Sequence, residues 1–182
     1  MKLFFFGGSF DPPHLGHEEI ARRCKKLCDR FIFFPCKISP MKKHVPVAGE
    51  SHRLQMTNLM AQNLGRKFVV DKFELLNDNL SYTINTISYL KVKYPKAELF
   101  MVLGADQMKN IENWKDSSKI LKSVKIVCFN RGEVDKNVDF NFLDLECDIS
   151  SSEIRENIKS QKKNLNLEVY KYIVNNNIYL NR

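Results

Sequence analysis

The segment Gly7–His17, with the sequence GGSFDPPHLGH, directly follows the apolar run Leu3–Phe6 and is the most informative stretch of the chain. It contains three of the seven glycines and two of the four histidines in the chain. A short continuous apolar run is typical of a strand that is buried on both faces. Glycines directly after such a strand let the backbone turn tightly and approach a ligand without a Cβ in the way. The segment therefore predicts a ligand-binding loop between the first strand and the first helix.

The two histidines of this loop indicate which ligand it binds. His14 and His17 are three residues apart at the predicted entry of a helix, so both rings can face the same side. A helix amino terminus offers N–H groups and partial positive charge, which suit a phosphate. Two other interpretations stay open: a metal site, although H-x-x-H here lacks an obvious third ligand, and a chance cluster. The loop is neither a Walker loop nor a G-x-G-x-x-G fingerprint, and we interpret it as a different phosphate-binding loop.

Beyond this loop, apolar runs alternate with segments of helical period. Further strands are predicted at Phe31–Phe34, Lys67–Val70, Leu99–Leu103, Val124–Phe129 and around Phe140–Leu145. Helices are predicted over residues 18–28, with Glu18 on the solvent face, and at Ser51–Leu64, Thr83–Tyr94, Trp114–Leu121, Ser150–Lys159 and Leu167–Asn175. This alternation predicts one α/β domain over residues 1–182, built on a doubly wound parallel sheet. Ligands bind such sheets beyond the carboxyl ends of the strands, where the strand order reverses.

The composition is that of a globular domain, with 182 residues of which 43% are hydrophobic and 27% charged. A chain of this length can bury roughly 70% of the surface that its unfolded form exposes, so it needs no disulfide or metal to fold. No apolar run approaches the roughly 18 residues of a membrane-spanning helix, and the first residues do not resemble a signal peptide. The five cysteines are scattered without a CxxC pair, which favours reduced thiols. We therefore expect a cytoplasmic protein.

The charge of the chain is strongly positive, since 29 Lys and Arg against 21 Asp and Glu give +8. A basic chain favours an acidic partner, which can be a nucleic acid, a membrane surface or a phosphorylated small molecule. The lysines are spread along the chain without a dense block, so we expect the small molecule and neither a nucleic acid nor a membrane. A homo-oligomer is compatible with the sequence, which does not report oligomeric state.

A second motif makes a family resemblance specific. The loop Gly7–His17 resembles the signature of the bacterial nicotinate-mononucleotide adenylyltransferases, within the nucleotidyltransferases that carry an H-x-G-H motif. The segment Ile149–Arg155, ISSSEIR, resembles the second signature of that superfamily, and the resemblance extends over essentially the whole chain. It implies a Rossmann-like nucleotidyltransferase fold. The implied reaction joins ATP and nicotinate mononucleotide into nicotinate adenine dinucleotide plus pyrophosphate, in NAD biosynthesis.

The resemblance also implies roles for individual residues. The implied catalytic residues are His14, His17, Lys42 and Arg155. Contacts to ATP are implied at Gly7, Gly8, Ser9, Phe10, Gly16, Gly104, Asp106, Ile149, Ser150, Ser151 and Ser152. The implied cofactor is Mg²⁺ carried by the ATP phosphates, with no metal site of the protein's own. Independently of the resemblance, Ser150 and Glu153 fit a capping box that opens the helix of Arg155.

The acceptor is indicated by three features that match the nicotinate branch of the family: the segment LSYT at residues 80–83, the segment GAD at residues 104–106, and Trp114. The residues implied for contact with the nicotinate are Tyr82, Thr83 and Trp114. An aromatic ring can stack on the pyridine, and the helix that begins near Thr83 can hold its carboxylate with N–H donors. A routine helix start and an ordinary core aromatic are the alternatives. Another phosphorylated acceptor such as phosphopantetheine, or a non-catalytic nucleotide or nucleic-acid binding module, stays open as well.

One segment departs from the family pattern. Where the family has a P-P-H-K-like loop, this chain has SPMKKH at residues 39–44, with Met41 in place of the usual histidine. We favour Lys42 as the phosphate ligand over Lys43 and His44. Residues 133–148 have no functional interpretation.

Overall fold

The computed structural model describes residues 1–41, 44–76, 80–130, 141–144 and 149–180. Within these residues the strands are β1 Lys2–Gly8, β2 Arg30–Pro35, β3 Phe68–Val70, β4 Glu98–Gly104, β5 Lys125–Asn130 and β6 Asn141–Asp144. The α-helices are α1 Leu15–Cys24, α2 Glu50–Leu64, α3 Phe73–Leu76, α4 Thr83–Lys93, α5 Ala105–Met108, α6 Ser117–Ser123, α7 Ser151–Glu156 and α8 Leu167–Asn175. Two 3₁₀ turns lie at Ile111–Asn113 and Ser160–Asn164.

The strands form one parallel sheet in the order β3-β2-β1-β4-β5-β6. The chain runs outward from β1 through β2 to β3, returns to the other side of β1 as β4, and continues to β5 and β6. The strand order therefore reverses between β1 and β4, and the connections after these two strands leave in opposite directions. This geometry opens a crevice at their carboxyl ends. The prediction of a doubly wound parallel sheet with a Rossmann-like topology is confirmed.

Side chains of the central strands alternate between two cores, because successive residues of a strand point to opposite faces. On one face, Phe4 stacks on Phe100 with ring centroids 4.6 Å apart, in a cluster that includes apolar residues of α1, α2 and α8. On the other face, Leu3 and Phe5 belong to a cluster with apolar residues of α4 and α6. Burial on both faces explains why β1 is a continuous apolar run in the sequence.

The predicted strands and long helices are confirmed to within a few residues, and the short elements account for most differences. The sequence reading missed α3 and α5, which have four residues each and are too short to show a helical period. The helix predicted from Ser150 to Lys159 ends at Glu156, and the next regular turn is 3₁₀. Of the unassigned segment 133–148, the structure describes residues 141–144, which form β6.

Glu18 corrects the prediction that the polar residues of α1 all face solvent. Its side chain is buried and accepts hydrogen bonds from Arg22, at 2.7 Å, and from Asn63 and Asn166, at 3.1 Å each. These partners come from α1, α2 and the residue before α8. They satisfy the carboxylate that burial would otherwise destabilise.

The cysteine prediction is confirmed where it can be checked. Cys24, Cys28, Cys36 and Cys128 are free and buried, while Cys147 lies outside the described residues. Burial raises the pKa of Cys24 to about 12, and the neighbouring Cys28 adds to this effect. Such a thiol stays protonated and acts as a small apolar side chain. Among the described residues no helix has the length and apolar character needed to cross a membrane.

Candidate active site

The glycines at the end of β1 differ from the prediction in their role. Gly7 and Gly8 do not form the turn: they are the last two residues of the strand, paired with Phe34 and Pro35 of β2. A Cβ on Gly8 would lie 3.2 Å from the ring of Phe10, closer than a side chain normally approaches. Gly8 therefore leaves room for the ring of Phe10, which folds back against the strand.

Phe10 makes the turn that the glycines were expected to make. Its backbone has φ of 47°, in the left-handed region that residues with a Cβ seldom adopt. The ring is buried in the core, with its centroid 5.8 Å from that of Phe33 and 5.0 Å from that of His17. Packing of the ring holds this conformation, which costs on the order of 1 kcal/mol. Phe10 therefore shapes the loop through its side chain, and only its backbone faces a ligand.

The histidine pair lies at the amino terminus of α1, as predicted. His14 is the residue before the first helical turn, and its ring centroid lies 3.8 Å from that of His17. The backbone N–H of His14 donates to Nδ1 of His17 at 3.2 Å. A neutral imidazole that accepts at Nδ1 carries its proton on Nε2. The loop therefore sets the tautomer of His17 so that Nε2–H is a hydrogen-bond donor.

Two buried charged residues, which the sequence did not indicate as functional, stabilise the loop through hydrogen bonds. Arg53 of α2 is 1% exposed and donates to the carbonyl oxygens of Ser9, at 2.8 Å, and Cys36, at 2.7 Å. Asp11 is buried and accepts from the hydroxyl of Tyr179, at 2.6 Å, and from the backbone N–H groups of residues 47 and 48. Together they tie the loop to the end of β2, to the segment before α2 and to the carboxyl-terminal residues. A signal for Arg53 existed, because it lies at helical spacing with the buried residues of α2.

The second motif packs directly on the first. The hydroxyl of Ser151 donates to the carbonyl oxygen of Pro12 at 3.0 Å, and the guanidinium of Arg155 donates to that of Asp11 at 2.6 Å. Ser150 caps α7 by accepting from the N–H of Ser152, which confirms the predicted helix start. The two motifs, far apart in the sequence, therefore form one surface.

This surface is one wall of a cavity of about 1380 Å³ at the crevice between β1 and β4. Every predicted site residue that the structure describes lines the cavity, with the exception of Gly16. Gly16 is buried in the first turn of α1, so a direct contact with ATP stays a prediction there. Lys42 lies outside the described residues, as does Lys43, whereas His44 lines the cavity. The volume exceeds the range typical of one small ligand and has room for two.

The opposite wall carries the three residues predicted for the acceptor. Tyr82 directly precedes α4, Thr83 is its first residue, and Trp114 follows the 3₁₀ turn after α5. The ammonium of Lys115 lies 4.5 Å from the ring centroid of Tyr82. The indole N–H of Trp114 is buried and has no hydrogen-bond partner among the described residues. This wall therefore combines two aromatic rings with hydrogen-bond donors and a cation, which suits an anionic ring.

Glu74 of α3 also lines the cavity near these residues, and no pattern in the sequence predicts it there. Its side chain is buried, and one carboxyl oxygen accepts from the hydroxyl of Thr86 at 2.6 Å. Burial raises the pKa of Glu74 to about 7, although hydrogen bonds from Thr86 and Ser81 oppose the shift.

The donor set of the cavity fits a magnesium ion that is carried by its ligand. Among the described residues there is no group of three or more His, Cys, Asp or Glu side chains that could hold a metal. Asp11 and Glu74 already accept hydrogen bonds, and Asp106 is an exposed carboxylate in the first turn of α5. Mg²⁺ commonly keeps several waters and takes one or two carboxylates together with phosphate oxygens.

Comparison with known proteins defines the class. Residues 5–157 match the family described as cytidylyltransferase-like. The solved structure of Plasmodium falciparum nicotinic acid mononucleotide adenylyltransferase complexed with NaAD has a TM-score of 0.85 at 20% identity, covering 100% of this chain and 98% of that chain. A structure titled as a putative nicotinate-nucleotide adenylyltransferase from Vibrio parahaemolyticus has a TM-score of 0.76 at 16% identity, covering 100% of this chain and 98% of that chain. The chain belongs to the cytidylyltransferase-like family.

Sequence relatives indicate to which group of proteins within this family the chain belongs. A protein of Carboxydothermus hydrogenoformans named probable nicotinate-nucleotide adenylyltransferase is 37% identical, with 98% of each chain covered. The nicotinate-nucleotide adenylyltransferase of Bacillus subtilis is 32% identical, again with 98% of each chain covered. These matches confirm the resemblance that the two motifs carried, and the chain groups with the nicotinate-nucleotide adenylyltransferases within the family.

Proposed function

We propose that this chain transfers the adenylyl group of ATP to nicotinate mononucleotide, forming nicotinate adenine dinucleotide and pyrophosphate, as a step in NAD biosynthesis. The observation that carries this proposal is the meeting of the two motifs at the switch point of the sheet. There the paired rings of His14 and His17 and the side chain of Arg155 line one wall of a cavity. The opposite wall presents aromatic rings to an acceptor.

The reaction is a direct in-line displacement. A phosphate oxygen of the mononucleotide forms a bond to the α-phosphorus of ATP, while the bond from that phosphorus to the α–β bridging oxygen breaks and pyrophosphate leaves. The nucleophile is already an anion, so no general base and no covalent enzyme intermediate are needed. The task of the protein is to position two anions that repel each other and to neutralise their charge.

The first wall supplies this neutralisation. His17, with its proton on Nε2, donates to the α-phosphoryl group as negative charge develops on it. His14 supports the adjacent phosphates, and the backbone of Ser9 and Phe10 lines the approach. Arg155, whose side chain is 22% exposed at the cavity, places a positive charge beside the departing pyrophosphate. Lys42 is proposed for the same role from the sequence alone.

The opposite wall selects the acceptor. Tyr82 or Trp114 stacks on the pyridine ring, and the amino terminus of α4 at Thr83 donates N–H groups to the carboxylate. The nicotinamide form carries a neutral amide instead, whose NH₂ would face the N–H donors at Thr83. The acid is therefore the preferred acceptor.

Asp106, which lines the cavity, would contact a ribose hydroxyl of ATP, and Mg²⁺ bound to the ATP phosphates would supply charge neutralisation there. We place the reaction in the cytoplasm, because the described cysteines are free, as a reducing compartment keeps them. We propose no nucleic-acid or membrane partner, and a homo-oligomer stays a prediction.

The test is a comparison of acceptors. The purified chain is incubated with Mg-ATP and one of three acceptors: nicotinate mononucleotide, nicotinamide mononucleotide or phosphopantetheine, and pyrophosphate release is followed. We expect kcat/KM for nicotinate mononucleotide to exceed the other two by about tenfold or more, the effect of one unpaired polar group. A faster reaction with phosphopantetheine would assign a different acceptor. Absence of pyrophosphate with all three acceptors would contradict adenylyl transfer.

A further inference from the structure

A buried carboxyl group lies in a cavity that we assign to anions. Glu74 is 7% exposed, and its Oε1 lies 4.0 Å from the position that a Cβ on Gly7 would occupy. It is therefore beside the end of β1, close to where the two walls meet. A carboxylate at this place repels both substrates, so its presence calls for a role other than binding them.

The contacts of Glu74 indicate that role. Its Oε1 accepts from the hydroxyl of Thr86, in the first turns of α4, at 2.6 Å. It also forms a hydrogen bond with the side chain of Ser81, two residues before α4. Glu74 therefore holds the chain on both sides of the residues Tyr82 and Thr83.

Ser81 extends this arrangement to the central sheet. Its hydroxyl accepts from the backbone N–H of Lys37 at 3.1 Å, and its own N–H donates to the carbonyl oxygen of Ile38 at 3.0 Å. Lys37 and Ile38 follow the end of β2. The turn before α4 is thus fixed to the sheet through Ser81 and to α3 through Glu74.

The amino terminus of α4 depends on these contacts, because it lacks a cap of its own. Tyr82 occupies the cap position and its side chain accepts no hydrogen bond from the helix. Polar residues such as Ser or Asp normally satisfy the first N–H groups at this position. An aromatic cap residue leaves those N–H groups to a ligand, and the direction in which they point is then set by the neighbouring contacts.

We propose that Glu74 is a positioning residue of the acceptor site, which fixes the first turn of α4 through Ser81 and Thr86 so that Tyr82 and Thr83 face the mononucleotide. The inference rests on the proposed function. It assigns Glu74 no contact with the reacting atoms. Loss of its hydrogen bonds therefore weakens acceptor binding, whereas the ATP wall, built from β1, α1 and α7, keeps its geometry.

The test measures both Michaelis constants in four variants. In Thr86→Val, which keeps the shape of the side chain and removes the hydroxyl, we expect KM for nicotinate mononucleotide to rise about tenfold, the effect of one hydrogen bond to a charged group. Glu74→Ala should raise it at least as much. Glu74→Gln keeps an acceptor oxygen for Thr86 and should restore KM to within about threefold of the wild type. KM for ATP and kcat should change less than about twofold in all three.

The matched control is Thr57→Val. Thr57 is a fully buried threonine whose hydroxyl donates within α2, to the carbonyl oxygen of Arg53 at 2.7 Å, and it does not line the cavity. Thr57→Val should lower the free energy of unfolding by about as much as Thr86→Val does, and it should leave KM for nicotinate mononucleotide unchanged. Equal increases of both Michaelis constants, or the same increase in Thr57→Val, would overturn the inference. A wild type without any adenylyl transfer would instead contradict the proposed function.

Discussion

His17 is a residue whose two ring nitrogens have separate tasks. Nδ1 accepts the backbone N–H of His14 and is thereby fixed, which leaves Nε2–H as the donor at a ring that lines the cavity. Contacts with the rings of Phe6 and Phe10 restrict its orientation further, at centroid distances of 5.8 and 5.0 Å. A donor held in this way does not have to reorganise when charge develops on the α-phosphoryl group.

Replacement of His17 by alanine should therefore affect the chemical step. We expect His17→Ala to lower kcat by roughly 10²–10³-fold, as removal of a single oxyanion donor does, with little change in KM for ATP. Steady-state kinetics with Mg-ATP and nicotinate mononucleotide would measure both. His52, whose Nδ1 lies 3.0 Å from the hydroxyl of Tyr172, is a histidine outside the cavity, and His52→Ala is the control. A His17→Ala variant with a normal kcat would remove His17 from its assigned role.

Glu74 leads to a prediction about stability. Burial raises the pKa of Glu74 from 4.5 to about 7, so between these values the folded chain binds more of this proton than the unfolded chain. Folding stability from this group is therefore present below about pH 4.5 and is lost as the pH rises to about 7. Glutamine does not titrate, so the free energy of unfolding of the wild type should fall by about 3 kcal/mol relative to Glu74→Gln across this interval. Urea unfolding of both proteins at pH 4.5, 6 and 8 checks it, and a constant difference would contradict the raised pKa.

At the scale of elements, the loop between β1 and α1 is supported by parts of the chain that follow it by more than 100 residues. Helix α7 contributes Ser151 and Arg155, and the residue Tyr179, after α8, reaches Asp11. Burial and the charge of Asp11 raise the pKa of the Tyr179 hydroxyl, so it stays protonated and donates. The carboxyl-terminal segment is thus part of the scaffold of the loop.

Removal of a single oxygen atom, the hydroxyl oxygen of Tyr179, should weaken this support. Tyr179→Phe removes one hydrogen bond to a charged acceptor and should lower the free energy of unfolding by about 2 kcal/mol. KM for ATP should rise, because the loop that carries His14 loses one of its fixed points. Tyr172→Phe is the matched control: Tyr172 lies in α8, and its hydroxyl contacts His52 instead of the loop. Chemical denaturation and ATP kinetics of the two variants should differ, and equal effects would exclude a specific role for Tyr179.

Some features of these elements could be predicted from the sequence, and others could not. Strands such as β1 and β4 are buried on both faces and so show continuous apolar runs. Their positions could therefore be predicted. The pairing of His14 with His17 followed from helical spacing. The burial of Glu18 and Glu74 could not be predicted, because they are buried with partners that come from other elements. For Arg53 the helical spacing indicates burial but does not indicate its partners. Local sequence carries no record of such partners, and a charged residue without them belongs on the surface.

At the scale of the whole molecule, the position of the candidate active site depends on one connection, in which the chain passes from β3 across β1 to β4. That connection places the loop after β1 and the residues after β4 on either side of one crevice. Helix α4 of this connection packs on the face of the sheet that carries Leu3 and Phe5 of β1, so the proposed acceptor wall and the proposed ATP wall share a border near Gly7 and Glu74.

In the proposed function the metal requirement belongs to the complex with ATP, because the ion would be held mainly by ATP and water. EDTA should abolish adenylyl transfer, since the charge on the triphosphate is then not neutralised. The same treatment should leave the melting temperature of the substrate-free protein unchanged, because within the described part of the chain no cluster of ligands holds a structural metal. Mg-ATP at about 100 times its dissociation constant should stabilise the fold by about 2.7 kcal/mol, and excess Mg²⁺ should restore both activity and this stabilisation after EDTA. Calorimetry of the protein with and without EDTA, in the absence of ATP, decides the point, because a lower melting temperature would reveal a resident metal.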